Sequence, residues 1–338
     1  MTGEHTYESD VAEQPEALRA LAAQPLPDDI ASLALDSYDR IILTGMGASH
    51  DAAHRTWRAL AARGRPAWWV TTSELLRLPQ LVTPGSLLWV TSQSGASGEV
   101  VALLDELGSP RPTILATTND RESALAHAAD VVTLLHCGSE ATVSTKSYVT
   151  TLAVHERIVA ALTKGSDQHC VEDVLLAADA LEQFAPDLGP FSARAFAGPD
   201  PRLALIAAHA EGPSALVGAL VLKEAAKVSA EAFLGGEFRH GPLEIAGPGC
   251  SAIFYLSGEP DEALDALSRD LVATGANVLR LDGETPVGGE SLTTGTPSEL
   301  GRLCCGAKLA QLLSIELAKA RGIVPGVFRF GRKVTGLL

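Results

Sequence analysis

The stretch SLLWVTSQSGASGEVVALLDELG, residues 86–108, contains an apolar run, a polar loop and an amphipathic run in succession. The first run is typical of a buried strand, and the last has the apolar spacing of a helix. Short apolar runs alternate with longer amphipathic ones around it, from DRIILTG at 39–45 to ADVVTLLHC at 129–137. This alternation predicts a parallel sheet covered by helices.

The second half of the chain repeats the first. Three segments of the first half, RIILTGMG, SLLWVTSQSGASGEV and RPTILATT, resemble RLALIAAH, SAIFYLSGEPDEA and ANVLRLDG in the second, in the same order and about 165 residues later. A repeat of this kind predicts two similar α/β domains. We therefore expect a helical leader at 1–38, a first domain at 39–163, a helical connection at 164–190, and a second domain with a tail at 191–338.

Composition excludes several classes of function. The 41 acidic side chains outnumber the 26 Lys and Arg residues and give a net charge of −15, so neither a nucleic-acid partner nor an anionic membrane is expected. The five cysteines are odd in number and show no CxxC spacing, which predicts reduced thiols in a cytoplasmic protein without a metal site. We expect no signal peptide and no membrane-spanning segment, because no apolar run is long enough.

The polar loop is suited to a phosphate monoester. Its side chains Ser92, Gln93, Ser94 and Ser97 are uncharged donors, and a helix N-terminus directly behind them supplies unpaired N–H groups. The alternative is a serine that only caps the helix, although a cap needs one serine and not three. No Gly-Lys-Ser/Thr follows, so the loop is not a Walker A loop that binds a nucleoside triphosphate.

A second strand–turn–helix segment, TGMGASHDAA at 44–53, lacks the features of a dinucleotide site. His50 stands where a third glycine is needed, and the next predicted strand does not end in an acidic residue. We therefore expect no nucleotide cofactor. Ser49 is a candidate to contact a sugar hydroxyl, the alternative being a helix N-cap.

Four motifs together resemble the sugar isomerase (SIS) family. They are SQSG followed by a hydroxyl residue, STK at 144–146, LKE at 222–224 and GEFRHGPLEI at 236–245. The likeness covers about residues 40–338. It is greatest to the isomerase half of glucosamine-6-phosphate synthase and to its stand-alone relatives, the amino-sugar-phosphate isomerase/deaminases and fructosamine-phosphate deglycases. The resemblance implies two tandem doubly wound, flavodoxin-like SIS domains.

The resemblance also implies roles for individual residues. Ser92, Gln93, Ser94 and Ser97 would hold the 6-phosphate of a hexose, with Ser97 standing where the synthase has threonine. Ser49 and the Ser144–Thr145 turn would line the sugar. The glutamate of LKE would move a proton between C1 and C2, which points to Glu224. The histidine of HGP would open the sugar ring from the neighbouring subunit, which points to His240 and to a homodimer with a shared active site.

The residues themselves support these two roles less strongly. Proton transfer between adjacent carbons needs a base, and ring opening needs an acid/base group. Glu224 lies in GALVLKEAAKVSAEAFLGG at 218–236, which predicts one long helix; an exposed carboxylate paired with Lys227 is the alternative. His240 lies in a loop bounded by glycine and proline, where a histidine bonded only to backbone is equally compatible with the sequence.

The chain departs from the synthase at two lysines. Val221 stands where the synthase has a lysine three residues before its glutamate. The synthase tail Lys-Ser-Val-Thr, whose lysine forms a Schiff base, corresponds here to Arg332-Lys333-Val334-Thr335. Either Lys333 forms the Schiff base, with the tail shifted by one residue, or no covalent step occurs. We also expect no glutaminase domain.

The sequence thus predicts a phosphosugar isomerase or deaminase for a hexose or amino-hexose 6-phosphate, with Glu224, His240 and Lys333 as catalytic candidates. It would need neither a cofactor nor a metal. A non-catalytic phosphosugar-binding regulator and a fructosamine-6-phosphate deglycase are the alternatives.

Overall fold

The computed structural model describes residues 5–196, 201–207, 209–283 and 289–336. They form two compact units, each built on one parallel sheet. The first unit contains Glu13–Leu175 and the described tail from Arg329, and the second contains Thr6–Ala12 and Leu176–Phe328. The predicted fold class, two tandem doubly wound α/β domains, is confirmed.

The first unit has five strands in the order β2-β1-β3-β4-β5, all parallel. The strands are β1 (Arg40–Gly45), β2 (Ala67–Thr71), β3 (Ser86–Thr91), β4 (Thr113–Thr118) and β5 (Val131–Leu134). The helices are α2 (Gln14–Ala22), α3 (Ala48–Ala61), α4 (Thr72–Leu75), α5 (Gly98–Glu106), α6 (Ala124–Ala128) and α7 (Lys146–Leu162). Helix α8 (Asp167–Gln183) contributes residues to both units.

The second unit has the order β10-β9-β8-β6-β7, again all parallel. The strands are β6 (Arg202–Ala207), β7 (Ala230–Leu234), β8 (Cys250–Tyr255), β9 (Asn277–Leu281) and β10 (Glu290–Leu292). The helices are α1 (Tyr7–Ala12), α9 (Gly189–Ala195), α10 (Gly212–Val221), α11 (Glu262–Ala273) and α12 (Glu299–Ala320). Read from β7, this is the strand order of the first unit.

The three repeated segments occupy equivalent strands, so the repeat seen in the sequence is structural. The members of each pair form β1 and β6, β3 and β8, and β4 and β9. Every residue of β3 and of β8 is buried, as expected for central strands of a sheet covered on both faces. Apolar strand residues pack there against the helices, with Val90 and Val100 in the first core and Phe254 and Leu267 in the second.

The prediction of one long helix over 218–236 is wrong. Helix α10 ends at Val221, a single π-helical turn covers Leu222–Ala226, and Lys227 adopts the left-handed conformation with φ 57°. The residues after it form β7, which pairs with β6 along Ala230–Leu234. Edge pairing with β6 outweighs the helix propensity of the alanines, because tertiary context overrides a weak local preference.

The two ends of the chain are divided between the units. Helix α1 belongs with the second unit, where the Tyr7 hydroxyl lies 3.0 Å from Ser314 Oγ. The tail from Arg329 belongs with the first unit, whereas the sequence assigned it to the second domain; the domain limits as such stay a prediction. All five cysteines are buried and free. Among the described residues, no helix has both the length and the apolar character to cross a membrane.

Candidate active site

The first sheet has a topological switch point between β1 and β3. The chain leaves β1 for β2 on one side and later returns to β3 on the other. In open parallel sheets a crevice forms there, outside the carboxyl ends of the two strands. Gly45 and Thr91 are register partners at those ends, and a Cβ on Gly45 would lie 2.7 Å from the Thr91 carbonyl oxygen. Only glycine therefore fits, and the two loops that follow start side by side.

The polar loop after β3 is held mainly through its backbone. Ser92 N–H donates to the Thr117 carbonyl (3.0 Å), and Asn119 N–H donates to the Gln93 carbonyl (2.9 Å). Ser92 Oγ accepts from Gly95 N–H at 3.1 Å. A hydroxyl that accepts in this way still has its proton to donate. The loop is thus fixed while Ser92, although nearly buried, keeps a donor for a ligand.

Ser97 occupies the N-cap position of α5, but among the described residues its hydroxyl makes no capping hydrogen bond. The alternative that this serine is present as a cap is therefore not supported by the geometry. Ser94 Oγ accepts a long bond from Ala96 N–H (3.3 Å). Both hydroxyls are half-buried at the positive end of the α5 dipole, where an anion is favoured.

Gly95 makes the tight curve of this loop possible. Its φ is +60°, and a Cβ there would lie 2.1 Å from Ser123 Oγ and 2.5 Å from Ser123 Cβ. Its carbonyl accepts from Leu125 N–H at 3.0 Å. The loop is therefore pressed against the start of α6, and no other residue type satisfies both the angle and the space.

Ser49 lies in the first turn of α3, inside the helix that begins at Ala48, so it is not the N-cap. The N-cap position is Gly47, with φ 53°. The ring of His50 stacks on Trp69 with centroids 4.1 Å apart, and Trp69 Nε1 donates to the His50 carbonyl at 2.7 Å. These contacts fix the turn that presents Ser49 at the same sheet edge as the polar loop.

The turn at 144–147 is organised by a buried carboxylate that sequence reasoning did not identify. Glu140 Oε1 accepts from Thr145 N–H (2.7 Å), Thr145 Oγ1 (2.8 Å) and Ser147 N–H (3.1 Å), and Oε2 accepts from Ser147 Oγ (2.7 Å). Thr145 is fully buried, and its hydroxyl is used in this network. Ser144 is half-buried. Of the predicted pair, Ser144 is the more accessible.

Lys333 completes this network from the tail. Its Nζ donates to Glu140 Oε2 (2.8 Å) and to the Thr142 carbonyl (3.2 Å). Burial by itself would raise the pKa of Glu140, but the Lys333 ammonium and the hydroxyl donors hold that pKa below its usual value. Arg332 is exposed, so of the two neighbouring basic residues it is Lys333 that points into the unit.

A second buried network supports the loop from beneath. The His155 ring bonds Thr56 Oγ1 through Nδ1 (2.9 Å) and Thr91 Oγ1 through Nε2 (3.0 Å). Burial lowers the pKa of His155 to about 3, so the ring is neutral and one nitrogen donates while the other accepts. Because Thr91 directly precedes Ser92, this histidine fixes the point where the polar loop begins. An isolated histidine in a helix gives no sequence signal of such a role.

Glu224 lies in the second unit, on the π-helical turn between α10 and β7, and is half-buried. Lys227 Nζ bonds the Glu224 backbone carbonyl, and its ammonium lies 5.8 Å from the centre of the Phe328 ring. Single π turns are rare and occur frequently at functional sites. Val221, at the position of the missing lysine, is buried.

His240 is exposed on the loop that follows the edge strand β7. Both charged neighbours are engaged elsewhere: Glu237 Oε2 accepts from Leu234 N–H (2.7 Å), and Arg239 pairs with Asp270 (3.0 Å). Gly241, with φ 115°, follows the histidine directly. The imidazole is therefore presented at the surface, while the charged side chains of Glu237 and Arg239 are engaged with other partners.

The chain is similar to known proteins in both sequence and fold. Residues 34–161 match the family model of the SIS domain. Over 312 residues the chain is 26% identical to the glutamine–fructose-6-phosphate aminotransferase (isomerizing) of Clostridium acetobutylicum, a match covering 86% of this chain and 51% of that protein. The chain spans about half the length of the curated relatives it matches.

Two solved structures share the fold. The C-terminal domain of glucosamine-fructose-6-phosphate aminotransferase from Francisella tularensis aligns with a TM-score of 0.79 at 20% identity, covering 97% of this chain and 99% of that one. Glucosamine-6-phosphate deaminase from Thermotoga maritima aligns with a TM-score of 0.74 at 21% identity, covering 97% and 99%. At 20–21% identity these two matches support the fold alone.

Proposed function

We propose, from the SIS domain that residues 34–161 form and from homology to the isomerase domain of glucosamine-fructose-6-phosphate aminotransferase, that this chain is a phosphosugar isomerase or deaminase. Its substrate would be a hexose or amino-hexose 6-phosphate. The observation that carries the proposal is the polar loop at the switch point, whose Ser97 stands at the N-terminus of α5 without capping it.

The phosphate would be held by uncharged donors. A monoester dianion accepts many hydrogen bonds, and the hydroxyls of Ser92, Ser94 and Ser97, the Gln93 amide and the N–H groups of α5 that follow Gly98 are of the required kind. The Gly98 N–H itself donates to the Thr335 carbonyl. Local dipoles make the site favourable for an anion in a chain of net charge −15. Ser49 and Ser144 would contact the sugar hydroxyls from the loops after β1 and β5.

The chemistry would need two proton transfers. His240 would act as the acid/base group at the ring oxygen and so open the ring. Glu224 would take the proton from C2 of an aldose, or from C1 of a ketose, and return it to the neighbouring carbon. The phosphate, bound throughout, would position the reacting carbons. The exposed position of His240 supports its being offered to a second subunit, and hence a homodimer with a shared active site.

Deamination is the second candidate reaction. The structural relative from Thermotoga maritima is named a glucosamine-6-phosphate deaminase, and the same two groups would serve in that reaction. Proton transfer from C2 to C1 would give an imine at C2, which water would hydrolyse to the ketose with release of ammonia. In a fructosamine-6-phosphate deglycase, proton transfer from C1 to C2 would give an imine at C1, which water would hydrolyse to the aldose and the free amine. No cofactor or metal enters these steps. The five buried, free cysteines support a reducing, cytoplasmic location.

The test follows deuterium from the solvent into the sugar. The wild-type chain is incubated in deuterated water with fructose 6-phosphate, glucose 6-phosphate or glucosamine 6-phosphate, and label at C1 and C2 is measured with released ammonia. We expect Glu224→Gln to lose label by about 1,000-fold or more, with ligand binding retained, since a general base contributes about 10²–10⁴-fold. Glu316→Gln, an exposed glutamate on α12, is the matched control.

Two results would count against the proposal. Labelling by Glu224→Gln at the wild-type rate would remove Glu224 as the proton carrier. Binding of sugar phosphate by the wild-type chain with neither label nor product would favour a non-catalytic regulator.

A further inference from the structure

The Glu140 carboxylate accepts hydrogen bonds on both of its oxygens. Its side chain is fully buried, and it accepts from two backbone N–H groups, two hydroxyls and one ammonium at 2.7 to 3.1 Å. A buried charge is costly unless it is paired and hydrogen-bonded on all sides. The ammonium is the only donor of the five that comes from a distant part of the chain, 193 residues away. Glu140 therefore joins the 144–147 turn to the C-terminal tail.

The tail has a second tether two residues further on. The Thr335 carbonyl accepts from Gly98 N–H at 2.8 Å, and Gly98 is the first residue of α5. Two residues of extended chain span at most about 7 Å. Residues 333–335 consequently bridge the 144–147 turn and the N-terminus that follows the polar loop.

Apolar burial contributes little to holding the tail. Phe330 is 98% exposed, and Val334 is 39% exposed. Lys333, by contrast, is only 22% exposed at its side chain. The position of the tail thus depends mainly on the polar contacts of Lys333 and Thr335.

We propose that Glu140 is a positioning residue: through its buried carboxylate it fastens Lys333, and with it the C-terminal tail, onto the turn at Thr145–Ser147, and so keeps the tail against the N-terminus of α5. The pairing also places the positive charge of Lys333 beside the proposed sugar site and leaves its amine engaged with a carboxylate. In this arrangement Lys333 is an anchor. The part of the inference that concerns sugar binding rests on the proposed function; the anchoring itself does not.

Amide hydrogen exchange of Gly98 tests the anchoring without any ligand, because its N–H donates to the Thr335 carbonyl of the tail. We expect Glu140→Gln and Lys333→Met each to speed exchange of the Gly98 amide by about tenfold, the scale of one lost charge-assisted hydrogen bond. Lys333→Arg, which keeps the charge, should restore most of the protection. Arg329→Met removes a tail charge outside this network and is the matched control.

The double variant Glu140→Gln/Lys333→Met guards against loss of the fold, because it removes both charges and leaves neither buried alone. Its Gly98 amide should exchange no faster than in the single variants, since all three remove the same contact. Unchanged exchange of the Gly98 amide in the folded single and double variants would overturn the anchoring.

Binding of fructose 6-phosphate, measured by calorimetry, tests the positioning. We expect Glu140→Gln to raise the dissociation constant about tenfold relative to Arg329→Met. Equal affinity in a variant with a released tail would overturn the positioning role. If the wild-type chain binds no sugar phosphate although its tail behaves as expected, the proposed function fails and the anchoring stands.

Discussion

Replacing Gly95 by alanine tests whether the polar loop is as tightly placed as its geometry indicates. Two costs are expected. A left-handed alanine costs about 1 kcal/mol, and a Cβ 2.5 Å from Ser123 Cβ forces a backbone shift that costs about 1–3 kcal/mol. Turning the Ser123 hydroxyl away would in addition weaken its bonds to the Asp120 carbonyl and the Ala126 N–H, a loss of about 1 kcal/mol.

Gly64 provides the matched control. Its φ is +71°, yet a Cβ there meets nothing within 4 Å, so Gly64→Ala carries the backbone cost alone. We expect Gly95→Ala to lower the free energy of unfolding of the first unit by about 3–5 kcal/mol and Gly64→Ala by about 1 kcal/mol. Urea unfolding followed by tryptophan fluorescence measures both, and all four tryptophans lie in the first unit.

A double variant separates the clash from the backbone angle. Ser123→Gly removes the two nearest atoms that the new methyl group would meet and leaves only Thr118 Oγ1, at 3.0 Å, of the three closest. Gly95→Ala/Ser123→Gly should therefore lose less stability than the two single variants together. If Gly95→Ala is no more destabilising than Gly64→Ala, the close approach of the loop to α6, and with it the shape of the proposed phosphate site, is refuted.

Two further predictions concern pH and capping. Burial lowers the pKa of His155 to about 3 and that of His54 to about 4, so below pH 6.5 the unfolded chain binds protons that the folded chain does not. The free energy of unfolding should be highest above pH 6.5 and should fall by up to about 1.4 kcal/mol per pH unit for each histidine as the pH drops towards 4. Urea titrations at several pH values measure this fall. A free energy of unfolding that does not change with pH would contradict the burial of both rings. Ser97→Ala should change the free energy of unfolding by less than about 0.5 kcal/mol, because Ser97 makes no capping hydrogen bond, and it should weaken sugar-phosphate binding about tenfold. Thermal unfolding with and without ligand measures both effects. A loss of stability without a loss of binding would favour the interpretation of Ser97 as a helix cap.

The fold was predictable because its signal is spread over many residues. Each strand from β1 to β5 is an apolar run beside an amphipathic one, and the matching segments of β6, β8 and β9 fixed the repeat. The position of the candidate site loops, at the carboxyl ends of the strands, could be predicted from the parallel-sheet topology alone. Local patterns misled at β7, because the alanines around Glu231 favour a helix while pairing with β6 decides the outcome.

The supporting residues of the site were not predictable in the same way. In the sequence Glu140 is an ordinary glutamate in a predicted loop. Its role depends on contacts with Thr145 and with Lys333, which lies 193 residues away. His155 resembles any helical histidine until Thr56 and Thr91 close on both of its nitrogens. Such roles depend on contacts that sequence spacing does not encode.

The crossed assignment of the chain ends has a practical consequence for anyone who divides this protein at its repeat. A fragment that stops before Arg329 would retain the first sheet but lose the only cation that Glu140 contacts in the described network, leaving an ionised group in a nearly dry interior. A fragment that starts at Glu13 would leave Ser314 without the tyrosine hydroxyl of α1. Each half of the chain therefore supplies a few residues to the unit that is built mainly from the other half, so neither unit is complete when the chain is cut at the repeat.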